Sequence, residues 1–281
     1  KDYVIASDTD SIYLHMGDLV EAVYKGREKT TEGVVSFLNK VCEMEFEPYI
    51  ESSYQELADY VNAYDQKMIM KRENIADRGI WTAKKRYILN VWDSEGVRYE
   101  EAKLKIMGIE AIKTSTPAPC RKFLKDAFKI LMNGTEDECI EYIEKCRKEF
   151  KSLSPEEVSF PRTASNVEKW HSSADLYGKG CPIHIRGAIL YNHWTKKKDI
   201  DHKYATIQNG EKIKFCYLKT PNWMHENVIS FIQDFPTELD LHKHVDYDLQ
   251  FSKSFLDPIK VILDCIGWET ERKNTLESFF S

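Results

Sequence analysis

From residue 30 to about residue 62, apolar positions recur at steps of three and four: Val34, Val35, Leu38, Val41, Cys42, Phe46, Ile50, Leu57 and Val61. That period predicts a long amphipathic helix, with a break near Pro48, which has no N–H to give to the ladder. Before it, Val4-Ile5-Ala6 and Ile12-Tyr13-Leu14 flank a short polar stretch and read as the two strands of a hairpin. After it, residues 67–75, 80–92, 97–99 and 102–109 read as strands, joined by the turn-like segments "ADRG" and "DSEGV". A sheet with a long helix packed on it is the expected first domain.

Beyond Thr114 the texture becomes helical. Thr116-Pro117 opens a helix that Asn133-Gly134 closes, with Gly134 expected in the left-handed position after the last turn. Thr135-x-x-Glu138 is a capping box for the next helix, which carries Ile140, Ile143, Cys146 and Phe150 on one face. Ser154-Pro155-Glu156-Glu157 repeats the start signal. Residues 182–198 and 241–266 read as helices and 212–219 and 227–232 as strands. The fold class is therefore α+β, with a domain boundary near 108–115.

Composition adds limits. The 281 residues, 42% hydrophobic and 12% aromatic, suit one large or two ordinary globular domains. No apolar run approaches membrane-spanning length and residues 1–4 show no signal-peptide pattern, so a soluble intracellular protein is expected. A strand starting so close to Lys1, which is not an initiator methionine, makes the chain look cut from a longer one. The seven cysteines are scattered and form no Cys-x-x-Cys pair, so reduced thiols are expected. Cys181-x-x-His184 resembles half a zinc site without a second half.

The net charge of −6 is unevenly placed. Residues 1–80 carry 9 basic and 16 acidic groups, whereas 81–134 carry 11 basic and 6 acidic. An acidic region followed by a basic island suits a site that holds metals on one side and phosphates on the other, although solvated charges can also cluster by chance. Asp8 and Asp10, two apart at the tip of the first hairpin, would place two carboxylates together. A hard divalent cation between them is one reading and an aspartate-rich turn is the other. In "WTAKKRYILNVWDSEGVRY" (81–99), a strand would put Lys84 and Arg86 on one face and Lys85 and Tyr87 on the other. Phosphate contact and protection of a sheet edge both account for such lysines.

Taken together, four segments resemble the family B DNA polymerases, most closely the replicative enzymes of T-even-like phages: "SDTDSIYL", "GIWTAKKRYILNVWDSEGVRY", "KLKIMGIEAIKTSTP" and "CPIHIRGAILYN". They look like motif C, the Lys-Lys-Arg-Tyr strand, the crossing from palm to thumb, and a thumb segment. Their order and spacing make the resemblance specific, and it runs through almost the whole chain. It implies residues 1–110 as the C-terminal part of a palm, an antiparallel sheet with a long helix, and 111–271 as a mainly helical thumb. Asp10, with Asp8 beside it, would hold two Mg²⁺ ions shared with a motif A that the chain lacks. Glu73 matches a third carboxylate near the metals, although Lys71 stands where the phage enzymes carry an acid, and a solvated strand charge is the alternative. Thr9, Lys84, Lys85, Arg86, Tyr87, Lys105 and Arg186 would contact primer or duplex DNA.

The fingers lysine and the exonuclease acids find no counterpart in the sequence either, so the fragment alone is expected to be inactive. The implied partners are primer-template DNA, dNTPs, the N-terminal remainder of the polymerase and a sliding clamp, in the cytoplasm of a phage-infected bacterium. Residues 272–281 place Leu276, Phe279 and Phe280 at i, i+3 and i+4, the spacing of a clamp-binding turn; folding back onto the thumb is the alternative. From Asp-x-Asp alone, a metal-dependent glycosyltransferase competes, but it leaves 81–99 and the tail unexplained. A non-catalytic DNA- and clamp-binding module is the other alternative.

Overall fold

The computed structural model describes residues 2–172 and 175–272, and the chain divides into two compact units, Lys1–Met107 and Gly108–Ser281. The first unit opens with an antiparallel hairpin, β1 (Val4–Asp8) and β2 (Ser11–Leu14), in which Asp8 pairs with Ser11 across a two-residue turn, Thr9-Asp10. Asp10 therefore lies in the turn and not on a strand. A short helix, α1 (Gly17–Val23), follows.

The long helix is unbroken, with α2 (Thr31–Val41) and α3 (Glu47–Tyr60) joined by a π-helical turn over Cys42–Phe46. Pro48 does not end it. The wider turn, in which the Glu47 N–H reaches back to the Cys42 carbonyl, makes room for the proline ring just beyond it. The second unit repeats this arrangement at Pro258.

Three antiparallel strands follow in the order β3 (Asn74–Ala83), β4 (Arg86–Ser94), β5 (Val97–Met107). Several expectations are corrected here. Residues 67–73 form no strand; the Gln66 side chain bonds to the Met68 backbone, and the Arg72 N–H donates to Glu47 Oε1 at 3.1 Å. "ADRG" lies inside β3, because Gly79 serves packing. A Cβ there would meet Leu89 Cδ2 at 2.7 Å and the Trp81 ring at 2.6 Å. The β3–β4 turn is instead Lys84-Lys85, with Lys85 at φ +62°, so neither lysine sits on a strand. The break expected near 100 is a bulge within β5, between Arg98 opposite Asp93 and Lys103 opposite Val91.

Asp93, only 1% exposed, ties the sheet to the helix. Its carboxylate accepts from Arg72 and from Arg98 Nε at 3.3 Å; Arg72 also reaches Asn39, and Arg98 reaches Ser36 Oγ at 3.1 Å, both on α2. Burial pushes this carboxyl up. The hydrogen bonds from Arg72, the Gly96 N–H and Arg98 nevertheless hold it below the usual carboxylate range.

In the second unit, α4 (Ala118–Asn133) and α5 (Glu136–Phe150) pack together, and the short α6 (Pro155–Val158) follows. Both expected capping boxes form, at Thr135/Glu138 and Ser154/Glu157. Gly134 is extended (φ −110°) and not left-handed; a Cβ there would lie 2.4 Å from the Glu138 carboxylate that closes the box. Next come β6 (Phe160–Thr163), α7 (Val167–Trp170), the two-residue strands β7 (His171–Ser172) and β8 (Leu176–Tyr177), and α8 (Ile183–Lys197).

Strands β9 (Lys212–Tyr217) and β10 (Val228–Phe231) join β6 in a three-stranded antiparallel sheet ordered β10-β9-β6. Helices α9 (Tyr247–Phe251) and α10 (Asp257–Ile266) complete the described part, joined by a π-helical turn over Ser252–Leu256. The expected helix over 241–266 thus begins at Tyr247, where Asp246 caps it by accepting from the Leu249 N–H at 3.0 Å. The core includes a run of rings: Phe150 and Phe251 with centroids 5.2 Å apart, Phe251 and Phe255 at 5.0 Å, Phe123 and Phe255 at 6.1 Å. Buried Gln250 bridges elements, donating to the Val158 carbonyl at 2.6 Å and accepting from the Tyr217 N–H at 3.1 Å. All seven cysteines are free.

Candidate functional site

The tip of the β1–β2 hairpin and the lysine turn between β3 and β4 meet. Asp8, the last residue of β1, lies between the two lysines, with Lys84 Nζ 3.8 Å from Oδ1 and Lys85 Nζ 3.6 Å from Oδ2. Its Oδ1 also accepts from the Thr9 N–H at 2.9 Å. That hydrogen bond does most to hold the carboxyl below its ordinary value; slight burial opposes it, and the Lys85 and Lys84 ammoniums add to it. Asp10 is exposed at the same tip and has no ion-pair or hydrogen-bond partner among the described residues.

An aromatic cluster fixes this meeting. Tyr13 of β2 donates its hydroxyl to that of Tyr87 on β4 at 2.9 Å. Its ring packs edge-on to Trp81 and to Tyr87, each at 5.4 Å, and Trp81 and Tyr87 are cross-strand partners beside the lysine turn. Burial and the Tyr13 bond push the Tyr87 hydroxyl up in pKa, helped by the carboxylates of Glu73 and Asp8, so Tyr87 stays neutral and acts as a hydrogen-bonding group.

Lys105 on β5 forms an ion pair with Glu73, and this hydrogen bond holds the Glu73 carboxyl below its usual range. Arg86 opens β4, half-buried, and its carbonyl accepts from the Thr82 hydroxyl at 3.3 Å. Arg186 lies on α8 in the second unit, where it donates to Asn227, lies 4.0 Å from Glu226 and rests over the Tyr177 ring at 5.6 Å. The structure thus brings together Asp8, Thr9, Asp10, Lys84, Lys85 and Tyr87, pairs Glu73 with Lys105, and puts Arg186 in the other unit. Leu276, Phe279 and Phe280 lie outside the described residues.

Asp8 and Asp10 are oxygen donors of the kind a hard cation takes. Among the described residues no group of three His, Cys, Asp or Glu side chains could hold a metal. The donor set fits a divalent ion only in part, and the remaining oxygen ligands would come from water, from phosphate or from other polypeptide. Sequence reasoning missed Tyr13 and Trp81. The signal was partial: a two-residue turn at Lys84-Lys85 by itself puts Thr82 opposite Tyr87, and the bulge between Trp81 and Ala83 brings Trp81 there instead. No helix among the described residues is long and apolar enough to cross a membrane.

No family model matches the chain. Over its whole length it is 31% identical to the DNA-directed DNA polymerase of Enterobacteria phage T4, and over 99% of its length 33% identical to that of Escherichia phage RB69. The chain spans 32% of the length of each of these relatives.

Proposed function

We propose that this chain is the C-terminal part of a template-directed DNA polymerase of the phage replicative type, with residues 1–110 forming part of its palm and 111–271 its thumb. The observation that carries the reading is Asp8 seated between Lys84 and Lys85. Two segments far apart in sequence, each resembling a polymerase motif, meet at one point. In this reading Asp10, with Asp8 beside it, holds Mg²⁺ together with ligands from the rest of the enzyme, and Glu73 would add a third carboxylate once Lys105 releases it. The bound ions would lower the pKa of the primer 3′-hydroxyl and neutralise the nucleotide's triphosphate and its leaving group.

The chain's own residues hold the primer. Lys84 and Lys85 project from a turn, largely exposed, where their ammoniums can exchange Asp8 for DNA phosphate. Tyr87 and Tyr13 fix the turn against the hairpin, and Thr9 and Arg86 flank it. Lys105 would leave Glu73 to meet duplex phosphate, and Arg186 would act in the thumb.

The partners are primer-template DNA, dNTPs, the remaining two thirds of the polymerase and, through Leu276, Phe279 and Phe280, a sliding clamp, in the cytoplasm of an infected bacterium. The first unit supports a polypeptide partner. It exposes Val4, Ile5, Ile12 and Leu14 on its hairpin, and Tyr49, Leu57 and Tyr60 on α3, apolar side chains that a second polypeptide would cover.

Primer extension tests the reading. The chain alone should incorporate no nucleotide, and adding the polypeptide that supplies the missing two thirds should give templated synthesis. Deleting 274–281 from that complex should leave distributive synthesis and remove clamp-dependent processivity. Synthesis by the chain alone would refute the assignment of missing parts. DNA binding with no synthesis in the complex would favour a non-catalytic DNA-binding module, a reading in keeping with the two carboxylate donors found at the tip.

A further inference from the structure

The C-terminal turn of α8 meets the loop between β9 and β10 in an arrangement that the proposed polymerase site does not use. Trp194, Lys197 and Lys198 stand at i, i+3 and i+4 on one face of the helix end. Trp223, from the loop, packs edge-on against Trp194 with centroids 4.8 Å apart. Lys197 Nζ lies over the Trp194 ring at 4.5 Å and Lys198 Nζ over the Trp223 ring at 4.6 Å. Lys196 is exposed beside them, and among the described residues none of these three lysines has a carboxylate within ion-pairing distance.

Trp223 is 37% exposed, yet it is held in place, because its indole N–H donates to the Leu239 carbonyl at 2.8 Å. The two acids flanking Leu239 are already paired, Glu238 with Lys203 and with a hydrogen bond from the Tyr204 hydroxyl, and Asp240 with Lys243. The helix dipole accounts for a lysine in the last turn of α8. It does not account for a fixed, exposed indole with an ammonium over its face. A rigid ring flanked by cations that lack anionic partners is complementary to an unpaired base with its phosphates: the base stacks and the ammoniums take the backbone.

We propose that Trp194, Trp223, Lys197 and Lys198 form a binding site for a single DNA strand, separate from the Asp8–Lys84–Lys85 site. A base would stack on Trp223 while Lys198 moves from the ring to a neighbouring phosphate, with Lys197 on the next. Single-stranded rather than duplex DNA is the ligand because only an unpaired base offers its face to the ring. Asp199 and Asp201 lie just beyond the helix and limit how far the cationic track extends.

The test uses the full 281-residue chain, titrated with fluorescein-labelled oligothymidylate while anisotropy and tryptophan emission are followed. Saturable binding with quenched emission is expected. Lys197→Glu with Lys198→Glu, a surface change that leaves the tryptophan pair intact, should weaken binding about tenfold or more and flatten the log-log salt slope by about 1.4. Trp223→Ala should also cost about tenfold, and Trp223→Tyr, which keeps a stacking ring, should recover most of it. Lys84→Ala with Lys85→Ala, which removes phosphate contacts of the proposed primer site, should leave the roughly tenfold cost of Trp223→Ala in place, which keeps this site distinguishable from the primer site. The proposal is overturned if the Lys197/Lys198 and Trp223 variants bind as the parent does. It is equally overturned if only the Lys84/Lys85 variants lose affinity, or if oligothymidylate binds without quenching tryptophan emission.

Discussion

Asp8 and Lys85, from two different hairpins, approach to 3.6 Å at the point where those hairpins meet, and Lys84 lies 3.8 Å from the other oxygen of the same carboxylate. The carboxyl is held low first by the Thr9 N–H and then by the two ammoniums. Replacing both lysines by alanine should therefore raise the Asp8 pKa while the Thr9 bond keeps it below the ordinary value. An NMR pH titration of the Asp8 carboxyl carbon reads this directly; an unchanged midpoint would mean the ammoniums do not act on it in solution. In the proposed complex the same substitutions should weaken primer-template binding and reduce the log-log salt slope by about 0.9 for each phosphate that is no longer neutralised.

A second prediction concerns Asp93, buried between Arg72 and Arg98. Asp93→Ala leaves both guanidinium groups without their anion, and removing one partner of a buried pair costs about 3–5 kcal/mol. The native carboxyl is held below its usual range, so its contribution is present above the unfolded-state pKa and is lost as pH falls through the folded value. The difference in urea midpoint between the parent and Asp93→Ala should be full at neutral pH and shrink below about pH 4. A difference that stays constant into acid would show that the carboxylate's charge is not what matters.

The sequence revealed some of these features and hid others for physical reasons. The capping boxes at Thr135/Glu138 and Ser154/Glu157 were legible because capping depends on spacing within one turn. Gly79 read as a turn residue because its role is set by Trp81 and Leu89, which close over it only once β3 and β4 pair. The turn at Lys84-Lys85 was hidden because it uses no glycine, asparagine or proline and places a lysine at φ +62°. That shift moved both lysines off the strand and onto Asp8. The aspartate pair was visible from its two-residue spacing, but its lysine neighbours could be found only through the tertiary packing of Tyr13 on Tyr87.

The Tyr13–Tyr87 pair gives a third prediction. Tyr13→Phe removes the hydroxyl that bonds Tyr87 at 2.9 Å and leaves a buried phenol without its partner, at a cost of about 1–3 kcal/mol. Tyr13→Phe with Tyr87→Phe removes both polar groups and keeps the ring packing, so the double variant should be less destabilised than the sum of the singles. Chemical denaturation of the four proteins in this cycle measures the coupling. Strict additivity would mean the two hydroxyls do not interact, and the hairpin would then be held by ring packing alone.

The last prediction separates the two aspartates. Asp8 already has three positive or donating neighbours in Lys84, Lys85 and Thr9, whereas Asp10, at the same tip, has none among the described residues. A carboxylate committed to lysines gives a cation less than one with no competing partner, so in the proposed site Asp10 would be the better ligand and Asp8 the better support. In the reconstituted polymerase, Asp10→Asn should reduce nucleotide incorporation by about 10²–10³-fold or more, the scale of removing one electrostatic interaction with the transition state. Asp8→Asn keeps the shape and should cost less, with a larger share of its effect appearing as weaker primer binding once Lys84 and Lys85 lose their anchor. Single-turnover rates together with primer-template affinity distinguish the two. If both substitutions have equal and small effects on incorporation, the tip is an aspartate-rich turn and the metal is held elsewhere.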